Sequence, residues 1–273
     1  MPHIPPRLSL ADVADRTRGF VRREAGLLLP LAFATTGLAT LLWDLAAPTV
    51  SVGQRAAPGP WLLVLFPVTL LFLIGNMAVA ALVVTGGAAG GVSVRDALRV
   101  AVDRLGNALL VLLLFLGAAL VLTAVVSVIA ILIGRGIGWP AQQATSLALL
   151  LILPAVLVAA IRLLTLWPAI AARAPRPAPV QAVRDAFATT RGLFSRLVAV
   201  TILYALAYML ILGAIEFGLG SVLLLVGRAT GQAAAMGVLL SVVGAMAGAA
   251  VQAVWGVFAA FLYLSVTADS SGT

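Results

Sequence analysis

Four stretches of this chain, Ala56–Val94, Leu105–Gly134, Gly136–Ile161 and Ala229–Ala268, each run for more than 25 residues without an Asp, Glu, Lys or Arg. A bilayer crossing takes about 20 predominantly apolar residues, so each stretch is long enough to cross. Composition agrees: 63% of the 273 residues are hydrophobic, 10% are charged and the mean hydropathy is +1.16. A soluble domain carries about 25% charged residues. The chain is therefore expected to be an all-α polytopic membrane protein, a single integral membrane domain over residues 1–273.

Six apolar segments are expected as transmembrane helices: Leu27–Leu45, Trp61–Thr85, Ala108–Ile133, Ser146–Ile161 with an extension, Leu197–Leu225 and Met236–Val266. Breaks fall at Pro48, Pro58 and Pro60, at Gly86–Gly91, at Gly134–Pro140, at Pro175–Pro179, and at Gly227 and Gly231. The first segment follows a 26-residue polar lead and has no clean small-x-small cleavage site, which favours a retained helix over a signal peptide. Trp43, Trp61, Trp139 and Trp167 lie near expected span ends, as in an interfacial aromatic belt. Trp255 falls inside the last segment and suits packing better.

Charge placement sets the expected orientation. All 17 basic residues are Arg. Fourteen lie before the first span (Arg7, Arg16, Arg18, Arg22, Arg23), after the second (Arg95, Arg99, Arg104) and after the fourth (Arg162, Arg173, Arg176, Arg184, Arg191, Arg196). The alternate connections hold Arg55, Arg135 and Arg228, one each. That asymmetry is the positive-inside pattern. It places both termini in the cytoplasm, which an even number of spans requires. The net charge of +8 is accounted for by topology, so no nucleic-acid partner is implied.

Each Arg-rich segment has the spacing of an amphipathic helix. In Ser93–Asn107, Val94, Ala97, Leu98, Ala101, Val102 and Leu105 recur at helical intervals, with Arg95, Asp96, Arg99 and Asp103 opposite. Ser93 with Asp96, and Ser9 with Asp12, have capping-box spacing. Such helices are expected on the cytoplasmic surface, apolar face down, with Arg beside anionic headgroups. The segments also resemble one another. Val94-Arg95-Asp96-Ala97-Leu98 matches Val183-Arg184-Asp185-Ala186-Phe187, and Thr17-Arg18-Gly19-Phe20 matches Thr190-Arg191-Gly192-Leu193. The implied unit is an interfacial helix followed by a two-helix hairpin, used three times over residues 8–91, 92–178 and 179–268. Convergence of basic amphipathic helices onto a common pattern accounts for the same matches.

The stretch Arg162–Leu197 combines a span end, Arg162-Leu163-Leu164-Thr165-Leu166-Trp167-Pro168-Ala169-Ile170, with Ala182-Val183-Arg184-Asp185-Ala186-Phe187 and Thr190-Arg191-Gly192. It resembles the membrane domain attached to some glycerophosphodiester phosphodiesterases and its stand-alone bacterial relatives. The six-span layout resembles that family as well. The phosphodiesterase domain itself is missing: its chemistry needs His and Glu around a metal, and this chain has one His, His3, and two Glu, Glu24 and Glu216. What the resemblance implies is a membrane module associated with lipid or envelope physiology.

Ionisable and polar residues inside spans are the candidate sites. Glu216 is placed near the outer boundary, as a solvated carboxylate, a proton or substrate contact, or a partner of Gln252. Asn76, near the middle of the second span, suits interhelical hydrogen bonding. Arg95, Arg99, Arg162, Arg184, Arg191 and Arg196 are the candidate lipid-headgroup residues; Arg162 would either snorkel or line a headgroup pocket. Gly244 and Gly248 are candidates for close helix packing. Gly86–Gly91 lacks the Lys-Ser/Thr of a phosphate loop. With no Cys, no Lys and a single His, neither a metal site, a cofactor nor a nucleophilic triad is expected. The leading expectation is a non-enzymatic accessory or scaffold module of a bacterial inner membrane, contacting anionic lipid and packing with a partner or with itself. The alternative is a transporter or lipid translocator with a polar site between helices.

Overall fold

The computed structural model describes residues 9–47, 59–89, 93–139, 141–172, 179–190 and 192–271. It is 93% helical, with no strand among the described residues. The chain runs as α1 (Leu10–Ala32), a π-helical turn (Phe33–Gly37), α2 (Leu38–Ala46), α3 (Trp61–Ala89), α4 (Val94–Asp103), α5 (Leu105–Gly136), α6 (Ala141–Arg162), α7 (Leu166–Ala172), α8 (Pro179–Thr189), α9 (Phe194–Gly213), a second π-helical turn (Ala214–Leu219), α10 (Gly220–Thr230) and α11 (Ala233–Ser271). Six helical stretches among the described residues are long and apolar enough to cross a membrane: Leu10–Ala46, Trp61–Gly86, Leu105–Gly136, Ser146–Ala172, Phe194–Thr230 and Ala233–Ala268.

The first span differs from the expectation at its start. The Arg-rich segment ahead of Leu27 is continuous with the membrane helix and forms no separate interfacial helix. Its apolar face explains why. Val13, Thr17 and Phe20 recur at helical spacing and are buried, and α1 packs along α11. Protein covers the stripe that a surface helix would lay on lipid. Ser9 does cap α1, accepting the Asp12 amide at 3.4 Å. Ser93 starts α4 in extended backbone, yet its side chain makes no capping hydrogen bond. α4 folds back on α3 and buries Ala97 and Ala101 in the main core; α8 buries Ala182 and Ala186 there in the same way.

The matched tetrapeptides share one interaction and differ in backbone. The Thr17 hydroxyl donates to the Val13 carbonyl at 2.8 Å, and the Thr190 hydroxyl donates to Ala186 at 3.0 Å. Beyond them Gly19 continues the helix, whereas Gly192 adopts φ +85°, the left-handed region that glycine enters without penalty. The three proposed units are also packed unequally. Consecutive spans lie side by side, α2 on α3, α5 on α6 and α10 on α11, but the core is built from α1, α3 and α11 with α4, α7 and α8 around one end. A second cluster, Val13, Ile161, Leu164, Leu197, Phe258, Ala259 and Leu262, ties the end of α6 and the start of α9 to α11. Away from these ends the α5–α6 pair stands apart: no residue from 112 to 129 is buried.

Small residues let the core helices approach. A Cβ on Gly75 would lie 2.6 Å from Thr35 Oγ1, one on Gly256 would lie 3.0 Å from Val79, and one on Gly37 would lie 3.3 Å from the Ala249 methyl. Thr35 cannot swing away at no cost, because its hydroxyl donates to the Leu31 carbonyl at 2.7 Å beside the π turn. Gly75→Ala should therefore destabilise the protein by about 1–3 kcal/mol, the usual cost of overpacking. Gly19→Ala, with nothing near its added methyl, should stabilise the helix by up to about 1 kcal/mol. Detergent unfolding titrations of the two variants check this, and equal effects would contradict the tight crossing.

Candidate functional site

Polar chemistry inside the membrane concentrates where α3, α9 and α11 meet. Tyr204 Oη of α9 donates to Gln252 Oε1 of α11 at 3.3 Å, and Gln252 Nε2 donates to Asn76 Oδ1 of α3 at 3.4 Å. Asn76 Nδ2 turns back to the Phe72 carbonyl at 2.8 Å. A buried amide left without partners in hydrocarbon is expensive, so these three side chains form a relay that satisfies each member with another. The Gln252 partners are Asn76 and Tyr204. The expected alternative, a pair with Glu216, is not formed, because Glu216 sits elsewhere on the π turn between α9 and α10.

An aromatic ladder runs beside the relay. Tyr208 stacks on Tyr204 (6.2 Å between centroids, 30° between planes), Tyr204 on Trp255 (4.2 Å, 19°) and Trp255 on Phe258 (5.5 Å, 13°). Gly248 is buried where the Tyr208 hydroxyl approaches, which a Cβ would meet at 3.4 Å. Of the two glycines expected in helix packing, Gly248 therefore lies at a close contact. Gly244 does not: its added methyl would meet nothing within 4 Å, and it lines a cavity instead. The sequence marked Trp255 as a packing residue but carried no sign of the ladder, since Tyr204 and Tyr208 are an ordinary helical i, i+4 pair.

That cavity, 540 Å³, opens at the other end of α11 between Asp44, Glu216, Leu240, Ser241 and Gly244, with Trp43 on its rim. Trp43 meets Trp61 edge to face at 6.1 Å, joining the ends of the first two spans. A groove of 440 Å³ lies between α1 and α9 over α11, with Arg18 and Arg22 among its lining residues.

The expected headgroup arginines divide. Arg95 and Arg99 are exposed on α4, where with Asp96 and Asp103 they line an open depression of 590 Å³. Arg184 and Arg196 are exposed; Arg191 lies outside the described residues. Arg162 is half-buried, its guanidinium carbon 4.9 Å above the Phe194 ring, so it joins the end of α6 to the start of α9. Arg104, read from sequence only as a topology marker, is half-buried and donates to the Ile170 carbonyl in the last turn of α7. A cation at that position suits the exposed carbonyls and the negative end of the helix dipole. The stretch that carries the family resemblance thus contains a short buried helix, α7, where a span end and loop were expected.

No family model, curated relative or solved structure matches this chain. Among the described residues no group of three or more His, Asp or Glu is placed to hold a metal.

The relay has a measurable signature. Tyr204→Phe and Gln252→Leu, singly and combined, should show a coupling of about 0.6 kcal/mol, and no more than about 1.7, as membrane hydrogen bonds do. Unfolding free energies in bicelles give the cycle, and strict additivity would mean the Tyr204–Gln252 bond contributes nothing. Arg162→Gln should cost about 0.5–1 kcal/mol through loss of the Phe194 contact; the same titration reads it.

Proposed function

We infer that the chain is a non-enzymatic accessory or scaffold module of a bacterial cytoplasmic membrane, contacting anionic lipid and packing with a partner subunit or a second copy. The observation that carries this reading is the closed relay. Asn76 and Gln252, each near the middle of its span, are committed to one another and to Tyr204 and hold helices together. A transport site needs such groups turned toward a cavity where a substrate replaces their partners. The apolar length of α5 between Val111 and Ala130, which packs on α6 but buries no residue, supports an outward-facing role. The exposed Arg95, Arg99, Arg184 and Arg196 support contact with anionic headgroups, each worth about 1 kcal/mol near such a surface. The charge asymmetry of the loops supports cytoplasmic termini, and the resemblance of Arg162–Leu197 to the phosphodiesterase-linked membrane domains agrees with a role beside lipid enzymes. Transport or lipid translocation is the second reading, favoured by one feature, the outer cavity that brings Asp44 and Glu216 together.

Extraction of the full chain with its surrounding bilayer into polymer discs tests the main reading. Enrichment of anionic lipid and a stoichiometric second chain are expected, with enrichment lowered by combined Gln substitution of Arg95, Arg99, Arg184 and Arg196. A lone chain with bulk lipid composition would sink it. A reporter fused after Thr273 should score cytoplasmic.

A further inference from the structure

The groove between α1 and α9 has dimensions and chemistry that the scaffold reading alone does not use. Its floor is α11, through Val254, Trp255 and Phe258; its walls are Val21 on one side and Leu203 and Ala207 on the other. Its hydroxyl groups are spoken for, Thr17 by the Val13 carbonyl and Tyr204 by Gln252. Apart from the arginines and the Trp255 indole N–H, its remaining lining side chains are aliphatic or aromatic. Its interior is therefore an apolar trough. One end is cationic, because Arg18 and Arg22 line it from α1, both exposed and neither in an ion pair among the described residues.

Helix geometry gives the depth of the trough. Gln252 lies close to the middle of the Ala233–Ala268 span. Phe261, whose ring meets Phe20 edge-on at 5.7 Å, is nine residues further along α11, about 14 Å at 1.5 Å per residue. Arg18 and Arg22 flank Phe20 by two residues each, within about 3 Å of that level. Half of a hydrocarbon core is about 15 Å. The trough thus spans the levels of Tyr204 and the arginines, with Ala207 beyond the one and Ala14 beyond the other: about one leaflet deep, apolar inside and doubly cationic on its α1 side.

We propose that this groove is a specific site for one anionic glycerophospholipid of the Arg-rich leaflet. An acyl chain lies along Trp255 and Leu203, and its phosphate sits between Arg18 and Arg22. A zwitterionic lipid fills the same trough but brings its own cation to the mouth, so charge complementarity selects the anionic headgroup. The site rests on the anionic-lipid part of the scaffold reading and assigns it a place.

Native mass spectrometry of the full chain, delipidated and then offered phosphatidylglycerol or phosphatidylcholine, tests this. One tightly retained phosphatidylglycerol is expected, preferred by roughly 30-fold for two phosphate-contacting arginines. The combined Arg18→Gln and Arg22→Gln variant should bring the preference to near parity. Ala14→Leu with Ala207→Leu, which fills the trough with methyl groups, should abolish retention of either lipid while leaving the melting temperature at or above that of the unsubstituted chain. An unchanged preference in the first variant, or unchanged retention in the second, overturns the site. An equal loss from Arg95→Gln with Arg99→Gln also overturns it, and in that case diffuse surface charge is the cause and the broader scaffold reading stands. Should the groove variants fail to fold, acyl-brominated phosphatidylglycerol added to the unsubstituted protein decides. Trp255 is the tryptophan that lines the groove, so quenching should exceed that by brominated phosphatidylcholine and the excess should vanish in Trp255→Phe. Equal quenching by the two lipids overturns the proposal.

Discussion

Close approach of three backbones is the constraint on which the rest of this structure depends. Lipid tails are as apolar as leucine side chains, so membrane helices gain little from merely hiding hydrophobic surface from one another. They associate where atoms fit. Here that fit is made by missing side chains: Gly75 against Thr35, Gly37 against Ala249 and Gly256 against Val79. The first, second and sixth spans meet at these points, and Met77, Leu82, Val83 and Val257 are fully buried around them. Once α3 and α11 are held at this distance, Asn76 comes within reach of Gln252, and the relay extends to Tyr204 on α9.

The fifth span packs along α11, whereas the third and fourth attach to that core by their ends. Arg104 grips the last turn of α7, Arg162 covers Phe194, and the cluster around Leu197 and Leu262 gathers four helices at the same end. Between those anchors, α5 and α6 touch mainly each other. The third and fourth spans are thus joined to the rest mainly at the Arg-rich end. Along residues 112–129 the α5 arm of this apolar hairpin buries no side chain.

The span boundaries were legible because a long uncharged run between Pro- and Gly-rich breaks has few alternatives in a bilayer; five of the six observed stretches begin within five residues of the expected start. The first did not, because nothing in Arg16–Glu24 shows that Val13, Thr17 and Phe20 will meet α11 about 240 residues later. The same limit applies to the site. Asn76 was legible as an interhelical hydrogen-bonding residue, but its partner lies 176 positions away, and Gln252 next to a distant Glu216 looked equally good by composition. Arg104 was hidden by its own abundance: one arginine among fourteen on a basic side carries no local sign that it will fold inward. Gly244 and Gly248 look alike in sequence, and only the position of Tyr208 separates them.

The two π-helical turns have a consequence for how these helices present their faces. A π turn holds one residue more than the α-helical turn it replaces, and one residue corresponds to about 100° of rotation. Everything after Gly37 in the first span, and after Leu219 in the fifth, is therefore out of phase with what precedes it. Val13 and Phe20 share a stripe on α11, while Trp43 and Asp44 point to a different bearing, toward Trp61 and Glu216. Each of these spans behaves as two rotors on one axle, its inner half indexed to the core and its outer half to the far rim. Removing a single residue from either π turn would leave the helix length and hydropathy almost untouched, yet would swing the outer half by about a quarter of a revolution. The phase of these two spans is thus encoded by residue count, independently of any side chain.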